Sequence, residues 1–171
     1  MSQKALLISS LLAGLFSTQV WAVEFKVDED LGCYGGPVHL IQHGDGYMSG
    51  SYDVITTRMV KYSGNSPVNL PSLLSAHCVG VFTVPNGEPE NNGSCEITDG
   101  SSDRYFAVFY RKGDPKKVEG ELHVLHGTGK FAGMTLDLKI QEIGDIPPPG
   151  MTNMMSGCNR AVGTGNAPGI K

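Results

Sequence analysis

Beyond residue 22 the apolar positions of this chain recur at every second residue, and almost nowhere at every third and fourth. In residues 117–125, Val118, Leu122 and Val124 fall on one side and Glu119, Glu121 and His123 on the other. Residues 135–141 repeat the pattern, with Leu136, Leu138 and Ile140 on one face. Along residues 47–62, Gly50, Tyr52, Val54 and Thr56 alternate with Ser49, Ser51, Asp53, Ile55 and Thr57. A period of two belongs to extended strand. The pattern predicts strands over residues 23–27, 38–42, 47–62, 77–84, 94–98, 104–111, 117–126, 134–143 and 158–162. Turn-forming residues separate them at 35–37, 43–46, 64–67, 85–93, 99–103 and 113–115. Residues 71–76 are expected to form a single helical turn, 145–150 a stiff crossing loop, and 163–171 a flexible tail with little to bury.

Many short strands with punctuating turns mean a sandwich or a barrel. The long strand at 47–62, with an interior glycine at Gly50, favours a barrel. The segment Gly127-Thr-Gly-Lys-Phe-Ala-Gly133 lies between two strands and reads as a glycine-rich hairpin. It is not a phosphate-binding loop. That motif needs Gly where Val124 stands and Ser or Thr where Phe131 stands, and a helix must follow.

Residues 1–22 carry a basic Lys4, an apolar run from Ala5 to Phe16 and small residues in Val20-Trp-Ala22. This is the layout of a secretory signal cut after Ala22, too short to span a bilayer. The organisation expected is therefore 1–22 signal, 23–162 barrel domain and 163–171 tail, in a secreted or periplasmic protein. Without Lys4, 12 basic residues face 17 acidic ones, a net charge of −5. Nucleic-acid binding wants a basic face and is not expected, nor is membrane insertion after cleavage.

All four cysteines lie in the exported part, and an even count there reads as two disulfides. Three pairings are possible. Cys78–Cys95 would close a local loop around the turn at 85–93. Cys33–Cys158 would tie the first strand region to the last, as barrel closure would. Those two pairs are the ones expected. No metal site is expected: there is no Cys-x-x-Cys, and His39 and His43 lie on a strand, where residues four apart do not meet. Asp99 and Asp103 flank a Gly-Ser-Ser turn and suit backbone-capping bonds better than a calcium loop.

The run from Gly120 to Gly133, with His77-Cys-Val-Gly80 and Gly93-Ser-Cys95 upstream, resembles the allene-oxide-cyclase-like and dirigent-like β-barrels, and bacterial secreted members in particular. The likeness covers residues 45–142. It implies an eight-stranded antiparallel barrel, a homo-oligomer in many relatives, that acts on small hydrophobic molecules without a cofactor. The expected function is a cofactor-free isomerase, lyase or cyclase on a terpenoid or fatty epoxide. Asp53, Glu121 and His123 are the acid–base candidates, and Tyr52, Phe106, Phe109 and Tyr110 the substrate-binding walls. The alternative expectation is a carrier of a small hydrophobic ligand or a secreted interaction protein. A solvent-facing polar row is the competing account of Asp53 and of Glu121 with His123, because every strand turns half its residues outward.

Overall fold

The computed structural model describes residues 22–65, 70–113, 119–145 and 153–168. Eight antiparallel strands, each hydrogen-bonded to the next in chain order, close into one barrel. They are β1 (Ala22–Gly44), β2 (Tyr47–Gly64), β3 (Leu73–Val84), β4 (Glu90–Thr98), β5 (Arg104–Lys112), β6 (Glu119–Gly127), β7 (Thr135–Asp145) and β8 (Met154–Pro168). The all-β, eight-stranded antiparallel barrel expected from the sequence is the observed fold. Nearly all of the signal segment, and residues 146–150 of the expected crossing loop, lie outside the described residues.

Strand alternation decides which side chains meet. On β2, Tyr52, Val54, Thr56, Arg58 and Val60 are buried in the lumen, while Ser51, Asp53, Ile55, Thr57 and Met59 face out. Following the register from Tyr52 through Gly80, Gly93, Phe109, Leu122, Leu138, Gly163 and Val27 returns to β2 at Tyr62, ten residues beyond the start. Such an offset accompanies a strand tilt of roughly 35–45°. An eight-stranded barrel encloses an interior that side chains can fill, or that can hold one small ligand.

The end where β1 begins, here the lower end, is plugged. The glycine-rich segment after β6 folds as a short 3-10 turn, Gly129–Phe131, and drives Phe131 inward to 1% exposure. Its ring packs edge-on against Tyr105 at 5.1 Å. Gly129 (φ 53°) and Gly133 (φ 72°) supply the left-handed backbone this needs. The backbone N–H of Lys130 donates to Asp103 Oδ2 at 3.1 Å, and its ammonium to Asp99 Oδ2 at 2.6 Å. The hydrogen bond from Lys130, then one from Ser101, holds the Asp99 carboxyl well below the usual carboxylate range. Ser101 N–H also donates to Asp99 Oδ1 at 3.1 Å, the backbone-capping role expected of that turn.

Four local expectations are corrected. Residues 35–37 do not turn: β1 runs straight through them, and Gly36 faces inward where a Cβ would strike the backbone of Asp53 and Val54. Residues 73–76 are the start of β3, not a helical turn, with Leu74 and Ala76 buried inward. The 85–93 turn is shorter, because β4 already begins at Glu90. Residues 163–168 are no tail. They complete β8, paired with both β1 and β7, and Ala167 is 2% exposed.

Both expected disulfides are present, Cys33–Cys158 and Cys78–Cys95. Each joins residues directly opposite one another on adjacent strands. Cys78 and Cys95 are buried in the core, whereas Cys33 is exposed and Cys158 half-buried on the outer wall. Two formed disulfides are consistent with an oxidising, extracellular environment.

Candidate functional site in the upper lumen

Above the plug the packing loosens. The largest fully buried side chains are Phe25, Ile97 and Phe131. Toward the upper end Phe82, Asn91, Phe109 and Met155 are only half-buried. Between these two regions lies a cavity of about 40 Å³. Its walls come from seven strands besides β1, which contributes Tyr34.

The aromatic wall is built over glycines. Tyr52 on β2 has Gly80 as its register partner on β3, and Gly93 follows on β4. With no Cβ at either position, the Tyr52 ring lies across both strands and its hydroxyl donates to Asn91 Oδ1 at 2.6 Å. Burial pushes the Tyr52 hydroxyl up to about 12, against a smaller opposing effect of Arg111. It therefore stays protonated at neutral pH and acts as a hydrogen-bond donor. Phe82 stacks on Tyr52 at 6.5 Å and 27°.

Beside the Tyr52 hydroxyl stands a charged group absent from the residues expected at the site: Arg111 is the register partner of Asn91. Arg111 on β5 forms an ion pair with Glu142 on β7, each side chain 8% exposed. The Tyr34 hydroxyl donates to the other oxygen of Glu142 at 3.1 Å. The guanidinium lies 5.4 Å from the Phe109 ring and 6.0 Å from that of Tyr34, so two aromatic rings hold its plane. One of its donors, Nε–H, is buried without a hydrogen-bond partner among the described residues.

The floor carries a second buried pair. Arg58 donates to Asp30 through Nε at 3.0 and 3.1 Å and through Nη2 at 2.7 Å, a two-pronged pair with side chains 6% and 5% exposed. Gly32, the register partner of Arg58, leaves the guanidinium room beside Asn159. Asn159 Oδ1 is the other buried polar side-chain atom with no partner among the described residues. Thr56 and the buried Cys78–Cys95 disulfide complete this part of the wall.

The structure brings only part of the expected site together. Tyr52 and Phe109 line the cavity. Phe106 and Tyr110 do not: they alternate with Phe109 and face out, Phe106 stacking on His126 at 6.5 Å. Asp53, Glu121 and His123 are likewise on the outer surface, because their strands turn Tyr52, Val54 and Leu122 inward. Asp53 pairs with His77 at 2.6 Å. His123 bonds Asp137 at 2.6 Å and approaches Glu121 at 3.4 Å, and Glu121 also pairs with Lys139. The hydrogen bond to Asp137 raises the His123 pKa.

Extending the inward parity would have found the missed residues. Arg58 follows Thr56, Arg111 follows Phe109, and Glu142 follows Ile140 in step with the lumen-facing positions. Among known proteins, no family model, curated protein or solved structure matches this chain.

Proposed function

We propose that this protein is an exported small-molecule binder, secreted or periplasmic, that holds one small ligand in its upper lumen without transforming it. The observation that carries the proposal is the cavity of about 40 Å³, lined mostly by aromatic and aliphatic side chains, with Thr56, Arg58, Arg111 and Asn159 as its polar members. Mostly apolar walls with a few placed polar groups are the usual make-up of a ligand pocket. Little in the lumen is free for acid–base work. Tyr52 stays protonated, and the carboxylates of Asp30 and Glu142 are both tied to arginines. Export is supported by the apolar leader ending at Ala22 and by the two disulfides.

Native mass spectrometry of the protein taken from its producing cells tests the binding role. The expected result is a non-covalent adduct that is lost in Thr56→Met, which pushes a longer side chain into the cavity. An adduct unaffected by that variant, or none at all, would count against a lumenal ligand.

Catalysis on a terpenoid or fatty epoxide has one observation in its favour. Tyr34, Glu142 and Arg111 set a hydroxyl, a carboxylate and a cation together on one wall. Pockets for such substrates usually measure about 300 Å³ or more, so the lumen would have to widen. Turnover that disappears in Glu142→Gln while binding persists would select this role over simple carriage.

A further inference from the structure

We propose that the protein pairs with a second copy of itself through the free edge of β1, residues 39–43, giving a two-fold dimer in which the two upper ends face each other. The pairing is independent of what the lumen holds.

The edge arises where β1 outruns its neighbour. β1 continues to Gly44, but β8 accompanies it only to Pro37, opposite Met154, with one further bond from the Val38 N–H to the Asn153 carbonyl at 2.8 Å. On its other side β1 stays paired with β2 to Gly44, and β2 in turn with β3. Residues 39–43 are thus held as strand from one side, and no described residue pairs with the other. Barrel closure removes edges, and here one is left at the rim. The Val38 N–H points away from β2. Backbone direction alternates along an antiparallel strand, so Leu40 and Gln42 also turn N–H and C=O to the free side.

Water satisfies those backbone groups, so the open edge alone names no partner. The side chains do. Every residue from His39 to Tyr47 is exposed, with Leu40 at 48% and Ile41 at 59% on opposite faces of the hairpin. Edges that stay single are guarded by lysine, by proline or by an inward charge. Residues 38–43 contain no proline and no Asp, Glu, Lys or Arg. A charged strand would find no counter-charge there, and two copies meet without like-charge repulsion.

Length and parity fix the register. With the two-fold axis at Ile41, Leu40 of one copy lies opposite Gln42 of the other, and each such couple exchanges two N–H···O=C bonds. Ile41 then lies opposite Ile41, and His39 opposite His43. This register uses the whole free stretch and stops short of Val38, whose N–H Asn153 already occupies. An axis at Leu40 would demand that N–H for Gln42. An axis at Gln42 would bring in Gly44, beyond the slip in register after Gln42. An interface of this symmetry closes on itself and stops at two copies. Residues 39–43 on each side bury far less than the roughly 1,200–2,000 Å² of a stable interface, so the dimer is weak and forms only as the protein is concentrated.

Sedimentation velocity of the exported chain from about 1 µM to about 1 mM tests the pairing. The expected result is a reversible monomer–dimer shift, with hydrogen exchange at the Leu40 and Gln42 amides slowing as the dimer forms. Gln42→Pro removes an N–H that β2 does not use. It should abolish the dimer and leave the thermal midpoint unchanged, since edge strands accept proline. Under mild oxidation Ile41→Cys should cross-link to itself, because opposed residues of a non-hydrogen-bonded pair have Cα atoms about 4.5 Å apart. His39→Cys, opposite His43, should not. A chain that stays monomeric at the highest concentration and gives no Ile41→Cys dimer overturns the proposal. A dimer that survives Gln42→Pro overturns it too, since its interface then lies on another face. If the chain stays monomeric and a synthetic Thr-Val-Thr-Val-Thr peptide slows the Leu40 and Gln42 amides, the edge takes a foreign strand and the second copy is the wrong occupant.

Discussion

The ring of Phe25 on β1 lies against Gly165 on β8, its register partner, in the place where any other residue would carry a side chain. A Cβ on Gly165 would come to 2.5 Å from Phe25 Cζ and 2.5 Å from Leu136 Cδ2, closer than carbon atoms approach. The glycine gives up its own burial so that an aromatic ring, 1% exposed, can fill the lower lumen.

Gly165→Ala is therefore an overpacking change with an expected cost of about 1–3 kcal/mol. A smaller partner should relieve it. In urea unfolding, the double variant Phe25→Leu with Gly165→Ala should lose less stability than the two single losses added together, with a coupling of at least about 0.5 kcal/mol. Strict additivity would mean that the two positions do not share space.

The same contact explains what could and could not be read from the sequence. Residues 163–168 look as though they have nothing to bury, because Gly163, Gly165 and Ala167 are small; in the barrel they are the surfaces that larger side chains cover. Alternation located the strands and separated the two faces of β2, since both depend on period two alone; the cysteine pairing followed from the local loop at 85–93 and from barrel closure. Bulges defeat alternation. The register slips between Val27 and Glu29, so that Phe25 and Val27 face inward together with Asp30 and Gly32. Leu125 is skipped in the pairing of β5 with β6, and Ile143 in that of β7 with β8. Nothing in their composition marks these places. The lumenal charges were hidden for a second reason. Arg58 and Asp30 are 28 residues apart, and Arg111 and Glu142 are 31 apart, so each looks like an isolated charge on an apolar face until the barrel closes.

The two disulfides should differ in reactivity. Cys33–Cys158 lies on the outer wall with Cys33 exposed, whereas Cys78 and Cys95 are each 5% exposed. Thiol–disulfide exchange requires access for the attacking thiolate. Mild reduction of the folded protein, followed by alkylation and peptide mapping, should label Cys33 and Cys158 first. Removing each bridge by a pair of Cys→Ala changes should cost more for Cys33–Cys158 than for Cys78–Cys95. Loop entropy over 125 and 17 residues gives about 5 and about 3 kcal/mol as upper figures.

His123 should confer a small stability that fades with alkalinity. Its pKa is raised in the folded barrel, first by the hydrogen bond to Asp137. A raised pKa means the folded state holds the proton more tightly than the unfolded chain does. The contribution is therefore complete below the unfolded value near 6.5 and is lost as pH rises through the higher folded value. The side chain is 47% exposed, so solvent screening keeps the effect within about 1 kcal/mol. The stability difference between the native chain and His123→Gln should be larger at pH 5.5 than at pH 8.5. Proton NMR should place the His123 titration above that of a free histidine. A difference that grows with pH would reverse the assignment.

The pair of Arg58 and Asp30 makes the sharpest demand on the fold. Asp30 accepts from two guanidinium nitrogens, and neither side chain has more than 6% of its surface exposed. Removing two ions from water costs several kcal/mol each, which their mutual attraction and the hydrogen bonds must offset. The two members are thus far from independent. Asp30→Asn leaves a buried guanidinium without its counter-charge and should destabilise the barrel by about 3–5 kcal/mol. Arg58→Met alone strands the carboxylate and should cost a similar amount. Together, Asp30→Leu and Arg58→Met replace the pair by apolar groups of comparable bulk beside Tyr62 and Tyr105. That double variant should lie near native stability in urea unfolding, or above it, as replacement of buried ion pairs often does. If it instead loses as much as the two single changes combined, the pair is a net source of stability here, and the lower lumen depends on charge as well as on packing.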